Sequence, residues 1–447
     1  MRYFLAIIGG GPAGYTAAEK ASKAGKDVVL FEQNAVGGTC LNVGCIPTKS
    51  LLYGAKQYYN ATHAQKYGVT AENVQFDFAA MQKRKTIVVC KLVAGIKQRL
   101  NNEHCTLVSG VAKVLDSIRQ AWRIECNGET YEAENLMICT GSTNFVPPIP
   151  GIKDNPAIWD STDALAATEL PKSIIIVGGG VIGMEFATLY HELGVPVTVI
   201  EALPTILPNL DQEVVGVLAE KYKKAGINIL TETKVEEIDG GKVTANGVEY
   251  EAEKILVSVG RRANLSGLEA LEGLETERGA IKIDEFCRTN LPNVYACGDV
   301  TGKIMLAHVA SRQAEVAVTK LLNDQMAHDQ KVNYPAIPSV VYTNPEIASV
   351  GVTESQAEEM SIPVEVRKLP MTFSGRFMAE NEGETGLCKM IIDSRSNTII
   401  GVHCIGNPCS EFIAAASCAV RNGYTLDDFR QVVFPHPTVS EILHEIV

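Results

Sequence analysis

The sequence predicts an α/β protein built from two copies of one parallel-strand unit, followed by a C-terminal α+β segment. Residues 4–8 form an apolar run that leads into the glycine-rich loop 9–14, and a second apolar run, 28–31, ends at Glu32. The same order of strand, glycine loop, helix, strand and acid recurs between residue 174 and Glu201. Residues 334–447 have no such loop, and their pattern mixes short strands with helices.

The first unit has the residue types that a dinucleotide requires. A short apolar run is typical of a buried parallel strand, and Gly9, Gly11 and Gly14 follow it directly. Glycines allow a tight turn and a close backbone approach, so that the start of the next helix meets a pyrophosphate. Glu32 lies 23 positions after Gly9, near the spacing at which a carboxylate binds a ribose hydroxyl. We therefore predict a Rossmann-like, dinucleotide-binding unit.

The second unit repeats this spacing. Gly178, Gly180 and Gly183 follow an apolar run, and Glu201 lies 23 positions after the first of them. A carboxylate there binds the 2′-hydroxyl of adenosine ribose and repels a 2′-phosphate, and no Lys or Arg follows until Lys221. We therefore expect two bound dinucleotides, the second of them NAD rather than NADP. The alternative for Glu201 is a solvated acid at a strand end, which the matching spacing in the first unit disfavours.

Cys40 and Cys45 lie in a glycine-rich stretch that runs into a predicted helix. Pro47 suits a first helical turn, because the amide hydrogen that it lacks would have no partner there. The helix dipole favours a thiolate at such a position and lowers its pKa. The pair thus has the pattern of a redox disulfide. On this stretch alone two buried structural thiols are an equal alternative, since free Cys is among the most buried residue types.

The redox stretch, the paired glycine loops and the C-terminal residues 436–441 together resemble the flavin-dependent pyridine nucleotide-disulfide oxidoreductases. The resemblance extends from about residue 2 to residue 446. Shorter matching stretches carry it between the main motifs: 139–142, 260–264, 294–299, 306–308 and 341–346. It implies FAD in the first unit, NAD in the second, and a homodimer built on the C-terminal domain.

The resemblance also implies roles for individual residues. Those that contact FAD are Gly9, Gly11, Gly14, Glu32, Lys49, Thr140, Gly141, Asp299 and Ala307. Those that contact NAD are Gly178, Gly180, Gly183, Glu201 and Gly260. Cys40 forms the mixed disulfide with substrate, and Cys45 is the thiolate against the flavin. Lys49 and Glu185 pair beside the reactive nitrogen of the flavin.

His436 is implied as the base, which reaches the disulfide of the other subunit, and Glu441 orients it. A histidine paired with a carboxylate suits proton exchange with a thiol at neutral pH. The alternatives are a surface histidine and a helix-capping role for Glu441, because residues 438–441 also fit a capping box. Glu441 is compatible with both purposes.

The activity that the resemblance implies is oxidation of the dihydrolipoyl groups of 2-oxo acid dehydrogenase or glycine-cleavage complexes, with hydride transfer to NAD⁺. One alternative is an NADH-dependent reductase of another disulfide. Mercuric ion is a less fitting substrate, because residues 443–447 contain no Cys pair. Another class of function is a mainly structural docking subunit. No lipoyl-bearing segment precedes Arg2, and the Cys pair together with His436 disfavours this class.

The sequence departs from the family pattern at a few positions. Ala263 replaces the usual Pro, and Cys139 and Cys297 stand where aliphatic residues are common, which we interpret as changes in packing. Phe434 and Pro435 precede the histidine where a second His and an Ala are usual. We expect this difference to alter details of the substrate channel and to leave the base itself in place.

Composition sets further limits. The chain has 447 residues and a net charge of −12, which favours several domains and disfavours nucleic acid and anionic membranes as partners. No apolar segment approaches the ~20 residues of a membrane span, and the first apolar run is too short for a signal peptide. Ten cysteines outside the redox stretch without regular pairing suit a reducing cytoplasm. We expect no metal site, and we interpret Cys404 and Cys409 as structural.

The motifs predict a domain plan. Residues 1–145 are the first part of the FAD-binding domain, 146–270 the NAD-binding domain, 271–333 the return to the FAD-binding or central domain, and 334–447 the interface domain. The return follows from the resemblance. Apolar spacing predicts an amphipathic helix from Gln82 to Leu100. A second helix, over 411–420, is either core or a dimer contact.

Overall fold

The computed structural model describes residues 2–323 and 331–447, so residues 324–330 of the predicted return segment lie outside it. The strands are β1 Arg2–Ile8, β2 Val28–Glu32, β3 Cys105–Ser109, β4 Lys113–Ile118, β5 Ala121–Cys126, β6 Glu129–Ile138, β7 Ser142–Asn144, β8 Ile158–Trp159, β9 Ile174–Val177, β10 Val197–Ile200, β11 Asn228–Leu230, β12 Val235–Asp239, β13 Lys242–Ala245, β14 Val248–Glu251, β15 Lys254–Val257, β16 Arg261–Ala263, β17 Thr276–Glu277, β18 Ala280–Ile281, β19 Val294–Ala296, β20 Ser339–Val341, β21 Ile347–Gly351, β22 Val364–Pro370, β23 Leu387–Asp393 and β24 Thr398–Ile405.

The α-helices are α1 Pro12–Lys23, α2 Gly38–Val43, α3 Cys45–Thr62, α4 Phe78–Leu100, α5 Ser161–Ala166, α6 Val181–Glu192, α7 Gln212–Ala225, α8 Ala307–Leu322, α9 Glu354–Glu359, α10 Gly375–Glu380, α11 Cys409–Asn422, α12 Leu426–Arg430 and α13 Ile442–Glu445. Short 3₁₀ turns cover Ala64–Tyr67, Asp299–Thr301, Tyr334–Ala336, Met371–Phe373 and Val439–Glu441. The chain divides into two compact units. Of the described residues, the first comprises 2–50, 80–145, 260–323 and 331–332, and the second comprises 51–79, 146–259 and 333–447.

The first unit contains a seven-stranded sheet in the order β3-β2-β1-β6-β5-β4, with β19 beside β6. The pairs of β1 with β2 and with β6 are parallel, and so are those of β2 with β3 and of β6 with β19. Helices α1 and α8 lie together, and Lys20 of α1 donates to the Thr319 hydroxyl of α8 at 2.6 Å. Both predicted apolar runs of this unit are fully formed strands, and β2 ends at Glu32 as expected.

The second unit contains a five-stranded parallel sheet in the order β11-β10-β9-β15-β8. The adjacent strands β9 and β10, both in the interior of this sheet, are the apolar runs that the sequence predicts around the second glycine loop. Their side chains are mostly buried, which explains why these runs are continuously apolar rather than alternating. The parallel strands of both sheets confirm the duplicated α/β architecture, and in the first sheet β4 and β5 add an antiparallel edge.

The C-terminal residues of the second unit form a five-stranded antiparallel sheet in the order β20-β21-β24-β23-β22. Helix α11 covers this sheet against β21 and β24. Its buried residues are Cys409, Phe412, Ile413, Ala416 and Ala419. The open question about this helix is therefore answered for one face, which is core, and the α+β prediction for this segment is confirmed.

The predicted long helix is α4, which begins at Phe78, four residues before the predicted start at Gln82, and ends at Leu100 as predicted. Its apolar stripe is buried only toward its C-terminal end. Ile96 and Leu100 are buried, whereas Leu92 is 43 % exposed.

Candidate active site

The first glycine loop joins β1 to α1 in a conformation that only glycine accommodates. Gly9 has φ +104°, and a Cβ atom there would clash with the carbonyl oxygen of Cys139. A Cβ atom on Gly14 would clash with the carbonyl oxygen of Gly9. Gly11 precedes α1, and no side chain of the described residues caps this helix start. The positive end of α1 thus follows a close-packed loop and has no side-chain cap in the described part of the chain, which fits a pyrophosphate.

The Glu32 carboxylate stabilises this loop by hydrogen bonds. One of its carboxylate oxygens accepts from the Gly10 amide at 2.7 Å, and the other accepts from the Asn34 amide at 2.8 Å. The residue is 9 % exposed at the end of β2. Each oxygen keeps a second lone pair, so the same carboxylate is able to bind a ribose hydroxyl.

The second glycine loop has the same construction. Gly178 has φ +108°, and a Cβ atom on it would lie 2.6 Å from the Ser258 carbonyl oxygen. A Cβ atom on Gly183 would clash with the carbonyl oxygen of Gly178. Glu201 accepts from the Gly179 amide at 2.6 Å and from the Leu203 amide at 2.8 Å. This repeated geometry fits a second dinucleotide.

Space remains in front of α6, the helix that follows the second loop. A Cβ atom on Gly180 would meet no heavy atom of the described residues within 4 Å. Because Gly180 has an ordinary φ of −74°, glycine is not required there by backbone conformation. The position is instead open for close approach of a ligand.

Asp299 lies in a network within the first unit. Its Oδ2 accepts from the Ser142 hydroxyl at 2.6 Å, and Arg261 Nε donates to the same hydroxyl at 2.8 Å. Thr140 donates to the Asn264 carbonyl at 2.6 Å, which joins the 140–142 segment to the residues after β16. Both stretches resemble family motifs, but the sequence does not predict the contacts of Ser142 and Arg261, because contacts over more than 100 positions have no local signal.

Gly298 brings Asp299 to the first glycine loop. Its φ is +83°, and a Cβ atom there would contact Ala13 at 3.6 Å and Ala310 at 3.4 Å. Its amide donates to the buried Gln313 side chain at 2.6 Å. Ala307 is the first residue of α8, which packs against α1. The structure thus gathers most of the residues expected to hold FAD. Gly260, expected to contact NAD, also belongs to this unit and has φ +121°.

The redox stretch is more helical than the sequence indicates. Cys40 lies on the short helix α2, and Cys45 is the first residue of α3, which places Pro47 in the first turn as predicted. Both cysteines are of intermediate exposure. The Asn42 side chain donates to the carbonyl oxygens of Ala35, Val36 and Gly38 at 3.0–3.2 Å and so fixes the turn. Sequence reasoning missed this clamp.

This turn packs directly on the first glycine loop. The Gly37 amide donates to the Gly10 carbonyl at 2.8 Å. A Cβ atom on Gly38 would lie 2.6 Å from Gly11 Cα. The thiol pair is therefore held beside the loop that fits a dinucleotide.

The two sulfurs of the reduced pair share a proton. A hydrogen bond with the Cys45 side chain, and then burial, raise the pKa of Cys40, while the charge of Lys49 opposes the rise. The lowering expected for a thiolate at the helix start concerns Cys45, the first residue of α3, and stays a prediction.

Lys49 and Glu185 belong to different units. Lys49 lies on α3, four residues after Cys45. Glu185 lies on α6, is 4 % exposed, and accepts from the Tyr342 amide at 3.1 Å. The pairing of these two residues stays a prediction.

His436 and Glu441 are in contact. His436 Nδ1 lies 2.8 Å from Glu441 Oε1, and the other carboxylate oxygen accepts from the Thr438 amide at 2.7 Å. The hydrogen bond from Thr438, and then that with His436, lower the pKa of Glu441. The His436 side chain is 82 % exposed, which leaves the rest of its ring accessible. Both readings of Glu441 are thus present at once.

Three further findings concern metal ligands, the C-terminal cysteines and membrane-spanning helices. Within residues 2–323 and 331–447, no group of three or more His, Cys, Asp and Glu side chains could hold a metal ion. Cys404 and Cys409 are buried in the core of the C-terminal sheet and α11, in line with a structural interpretation. None of the described helices has the length and apolar character needed to cross a membrane.

Comparisons with known proteins cover nearly the whole chain. The family model described as pyridine nucleotide-disulphide oxidoreductase matches residues 3–314, and the model of its dimerisation domain matches residues 337–447. The dihydrolipoyl dehydrogenase of Geobacillus stearothermophilus is 37 % identical over 98 % of this chain and 94 % of its own length. The enzyme of the same name from Mycoplasma pneumoniae is 37 % identical over 100 % and 98 %.

Solved structures are also similar to this chain over nearly its whole length. LpdA from Mycobacterium tuberculosis superposes with a TM-score of 0.91 at 27 % identity, covering 99 % of this chain and 98 % of its own. The Cu(II) complex of the HOCl-induced flavoprotein disulfide reductase RclA from Escherichia coli superposes with a TM-score of 0.88 at 29 % identity, covering 100 % and 99 %. Both likenesses extend over all parts of the chain.

Proposed function

Because the chain belongs to the pyridine nucleotide-disulphide oxidoreductase family, we propose that it oxidises dihydrolipoyl groups to the cyclic disulfide and reduces NAD⁺. The observation that carries the proposal is the thiol pair Cys40 and Cys45, held against the first glycine loop in a chain that resembles dihydrolipoyl dehydrogenases over nearly its full length. Oxidoreductases of this family use FAD and NAD(H).

The site residues fit these cofactors in a definite assignment. FAD belongs at the first glycine loop, with Glu32, Thr140, Gly141, Asp299 and Lys49 around it. NAD belongs at the second loop, with Glu201 and Gly260 around it. We propose the domain plan that the sequence indicates, with 1–145 and 271–333 for FAD, 146–270 for NAD, and 334–447 for the subunit interface; the compact units differ from it in assigning residues 260–270 to the first unit. When bound, FAD supplies the two-electron acceptor for the reduced pair, and NAD⁺ takes the final hydride.

The first chemical step transfers a proton and opens the protein disulfide. With Nδ1 held by Glu441, His436 accepts the proton of a substrate thiol at Nε2. The substrate thiolate attacks Cys40 Sγ, the Cys40–Cys45 bond breaks, and Cys45 leaves as a thiolate. One substrate sulfur is then bonded to Cys40.

The second step closes the substrate ring. The other substrate sulfur attacks its neighbour and passes its proton to Cys40 Sγ, which leaves as a thiol as the cyclic disulfide is released. Two electrons and one shared proton now reside on the protein pair, and a second proton on His436. Return of the pair to the disulfide, with loss of both protons, one of them as part of the hydride, completes the cycle as one NADH and one H⁺ for each dithiol.

The proposal includes the assembly. The chain has the family's dimerisation domain, and we expect a cytoplasmic homodimer in which His436 of one subunit serves the Cys pair of the other. The expected macromolecular partners are the lipoyl domains of 2-oxo acid dehydrogenase or glycine-cleavage complexes.

The decisive experiment is an anaerobic titration of the flavin-loaded protein with dihydrolipoamide, followed by visible absorbance. We expect a long-wavelength band of thiolate against flavin, and NADH after addition of NAD⁺. Cys45→Ser abolishes the band and so serves as the control. If dihydrolipoamide has no effect while NADH bleaches the flavin, the substrate assignment is wrong.

A second candidate function is reduction of another disulfide by NADH. It is favoured by the structural similarity to the RclA reductase and by Phe434 and Pro435, which precede the proposed base His436. The Phe434 ring packs against Phe429 with centroids 5.8 Å apart, a position where a second histidine is usual in the family. A panel of disulfides with NADH as donor distinguishes the two functions, since dihydrolipoamide remains inert in this case.

A further inference from the structure

A cavity of about 620 Å³ lies in the first unit, and no residue of the first glycine loop is part of its lining. It is bounded by β16, by the hairpin of β17 and β18, and by the turn that follows Asp299. Glu32 does not line it either. The proposed reaction gives this cavity no role.

The charge of the lining is opposite to that of the protein. Its ionisable side chains are five cations and a single carboxylate: Arg261, Arg262, Arg278, Lys282, Lys303 and Glu277. The whole chain has 52 acidic against 40 basic residues. Like charges at close range repel one another, so a concentration of cations in an acidic protein favours an anionic occupant.

Two of these cations are presented on fixed turns. Arg278 and Gly279 both have positive φ, +52° and +79°, and form a two-residue hairpin turn between β17 and β18. Gly302 has φ +61°, and a Cβ atom there would lie only 2.6 Å from Ala280 Cβ. The hairpin therefore abuts the turn that presents Lys303.

The same two cations are available to a ligand. Among the described residues, neither Arg278 nor Lys303 has an ion-pair or hydrogen-bond partner for its side chain. By contrast, Lys282 pairs with Glu275 at 2.8 Å, and the Arg262 guanidinium lies 3.7 Å from the centre of the Phe145 ring. Guanidinium and ammonium groups side by side are the donors that phosphate oxygens prefer.

We propose that this cavity binds a small polyanion with two or more phosphate groups, held by Arg278 and Lys303 with Arg262 and Lys282 at the rim. The volume suits a molecule of nucleotide size. Inorganic polyphosphate and a nucleoside diphosphate share this chemistry, and the experiment separates them.

Hydrogen-bonded side chains connect the cavity to Asp299. Arg261 lines the cavity and donates to the Ser142 hydroxyl, which donates to Asp299. An anion that draws on the Arg261 charge alters this network. If FAD occupies the site that we propose for it, flavin fluorescence reports the binding, whereas calorimetry detects it without that assumption.

The test is calorimetric titration of the flavin-loaded protein with tripolyphosphate, with ADP, and with chloride at matched ionic strength. We expect saturable binding of at least one phosphate compound and none of chloride. If the binding that the double variant loses is tighter for ADP than for tripolyphosphate, the cavity takes a nucleotide, and equal losses assign the phosphates alone. The affinity should fall at least tenfold in Arg278→Gln plus Lys303→Gln, and each single variant should show part of this loss.

Arg119→Gln is the matched control, because Arg119 also lies at positive φ, +51°, in an exposed turn, and it does not line the cavity. It should bind as the native protein does. The proposal is overturned if the double variant binds equally well, if no phosphate compound binds the flavin-loaded protein, or if binding requires removal of the flavin. Dihydrolipoamide oxidation is measured separately, so failure here is distinct from failure of the proposed reaction.

Discussion

Glu441 has two carboxylate oxygens, and each has a different partner. One holds His436 at 2.8 Å, and the other caps the last helical turns through the Thr438 amide. A single side chain thus fixes both the path of the chain and the orientation of the proposed base. At the scale of one residue, structural and chemical explanations do not exclude each other.

We expect Glu441→Gln to lower the rate of dihydrolipoamide oxidation about tenfold or more, because loss of the charge destabilises the protonated imidazole. NADH oxidation by an artificial electron acceptor, which requires neither His436 nor the Cys pair, should be unchanged. Glu445→Gln, in the next helix, is the control. Equal loss of both activities would mean that Glu441 acts only on folding.

Glu192 is a buried acid on α6 that accepts from the Asn344 side chain at 2.7 Å. Burial raises the pKa of Glu192 to about 7, and the charges of Lys56 and Lys221 only partly oppose it. Between the pKa of the unfolded chain and about 7, the folded protein keeps a proton that the unfolded chain releases. Stability from this group is therefore full in acid and is lost as the pH rises to 7, by about 3 kcal/mol at most.

Glu192→Gln imitates the neutral acid and should remove this pH dependence. The melting temperature of the variant, relative to the native protein, should be higher at pH 8 than at pH 5, as measured by scanning calorimetry of the flavin-loaded protein. Glu220→Gln, on the neighbouring helix α7, is the control for a general charge effect. An equal difference at both pH values would show that Glu192 is ionised throughout.

At the scale of elements, the glycines of the second loop differ in how much space surrounds them. Gly183 has the carbonyl oxygen of Gly178 where a Cβ atom would be, whereas Gly180 has open space. The first position is required by packing, and the second by whatever approaches α6.

This difference predicts opposite results for two alanine variants. Gly183→Ala should lower the melting temperature markedly, because the clash is with backbone. Gly180→Ala should melt within about 2 °C of the native protein, in line with small surface effects, and should raise the KM for NAD⁺ at least tenfold. The measurements are thermal melts and NAD⁺ kinetics. Unchanged kinetics in Gly180→Ala would argue against NAD at this loop.

The sequence predicted elements where the signal is local. Apolar runs, glycine spacing and the terminal acids located the central strands and the ligand-binding loops of both units. It did not predict that residues 38–43 form α2, because a glycine-rich stretch indicates a turn. The Asn42 clamp and the Ser142–Asp299 contact also went unseen, since their partners depend on tertiary packing. The direction of the Cys40 pKa depended on a neighbour that only folding brings close.

At the scale of the whole molecule, the proposed base and the thiol pair belong to different units of one chain, and the proposal joins them across a dimer. The chain matches the dimerisation domain of the family over residues 337–447. A site shared in this way makes activity a property of the pair of subunits.

Hybrid dimers test this arrangement. Cys45→Ser and His436→Gln homodimers should each be nearly inactive toward dihydrolipoamide. Random mixing should restore about a quarter of native activity, because half of the dimers are mixed and each contains one complete site. Co-expression with two affinity tags isolates the mixed dimer for assay. No recovery in the isolated hybrid would place His436 and the Cys pair of one site on the same subunit.

Glu32 and Glu201 each accept hydrogen bonds from backbone amides of their own loop, and this has a consequence for changing the coenzyme preference. An engineer who wants this enzyme to accept NADP would first replace Glu201, the group that we propose as the one that repels a third phosphate. That exchange also removes the acceptor for the Gly179 and Leu203 amides, so the loop loosens as the preference changes. A successful exchange of coenzyme therefore needs a second substitution that returns an acceptor to those amides.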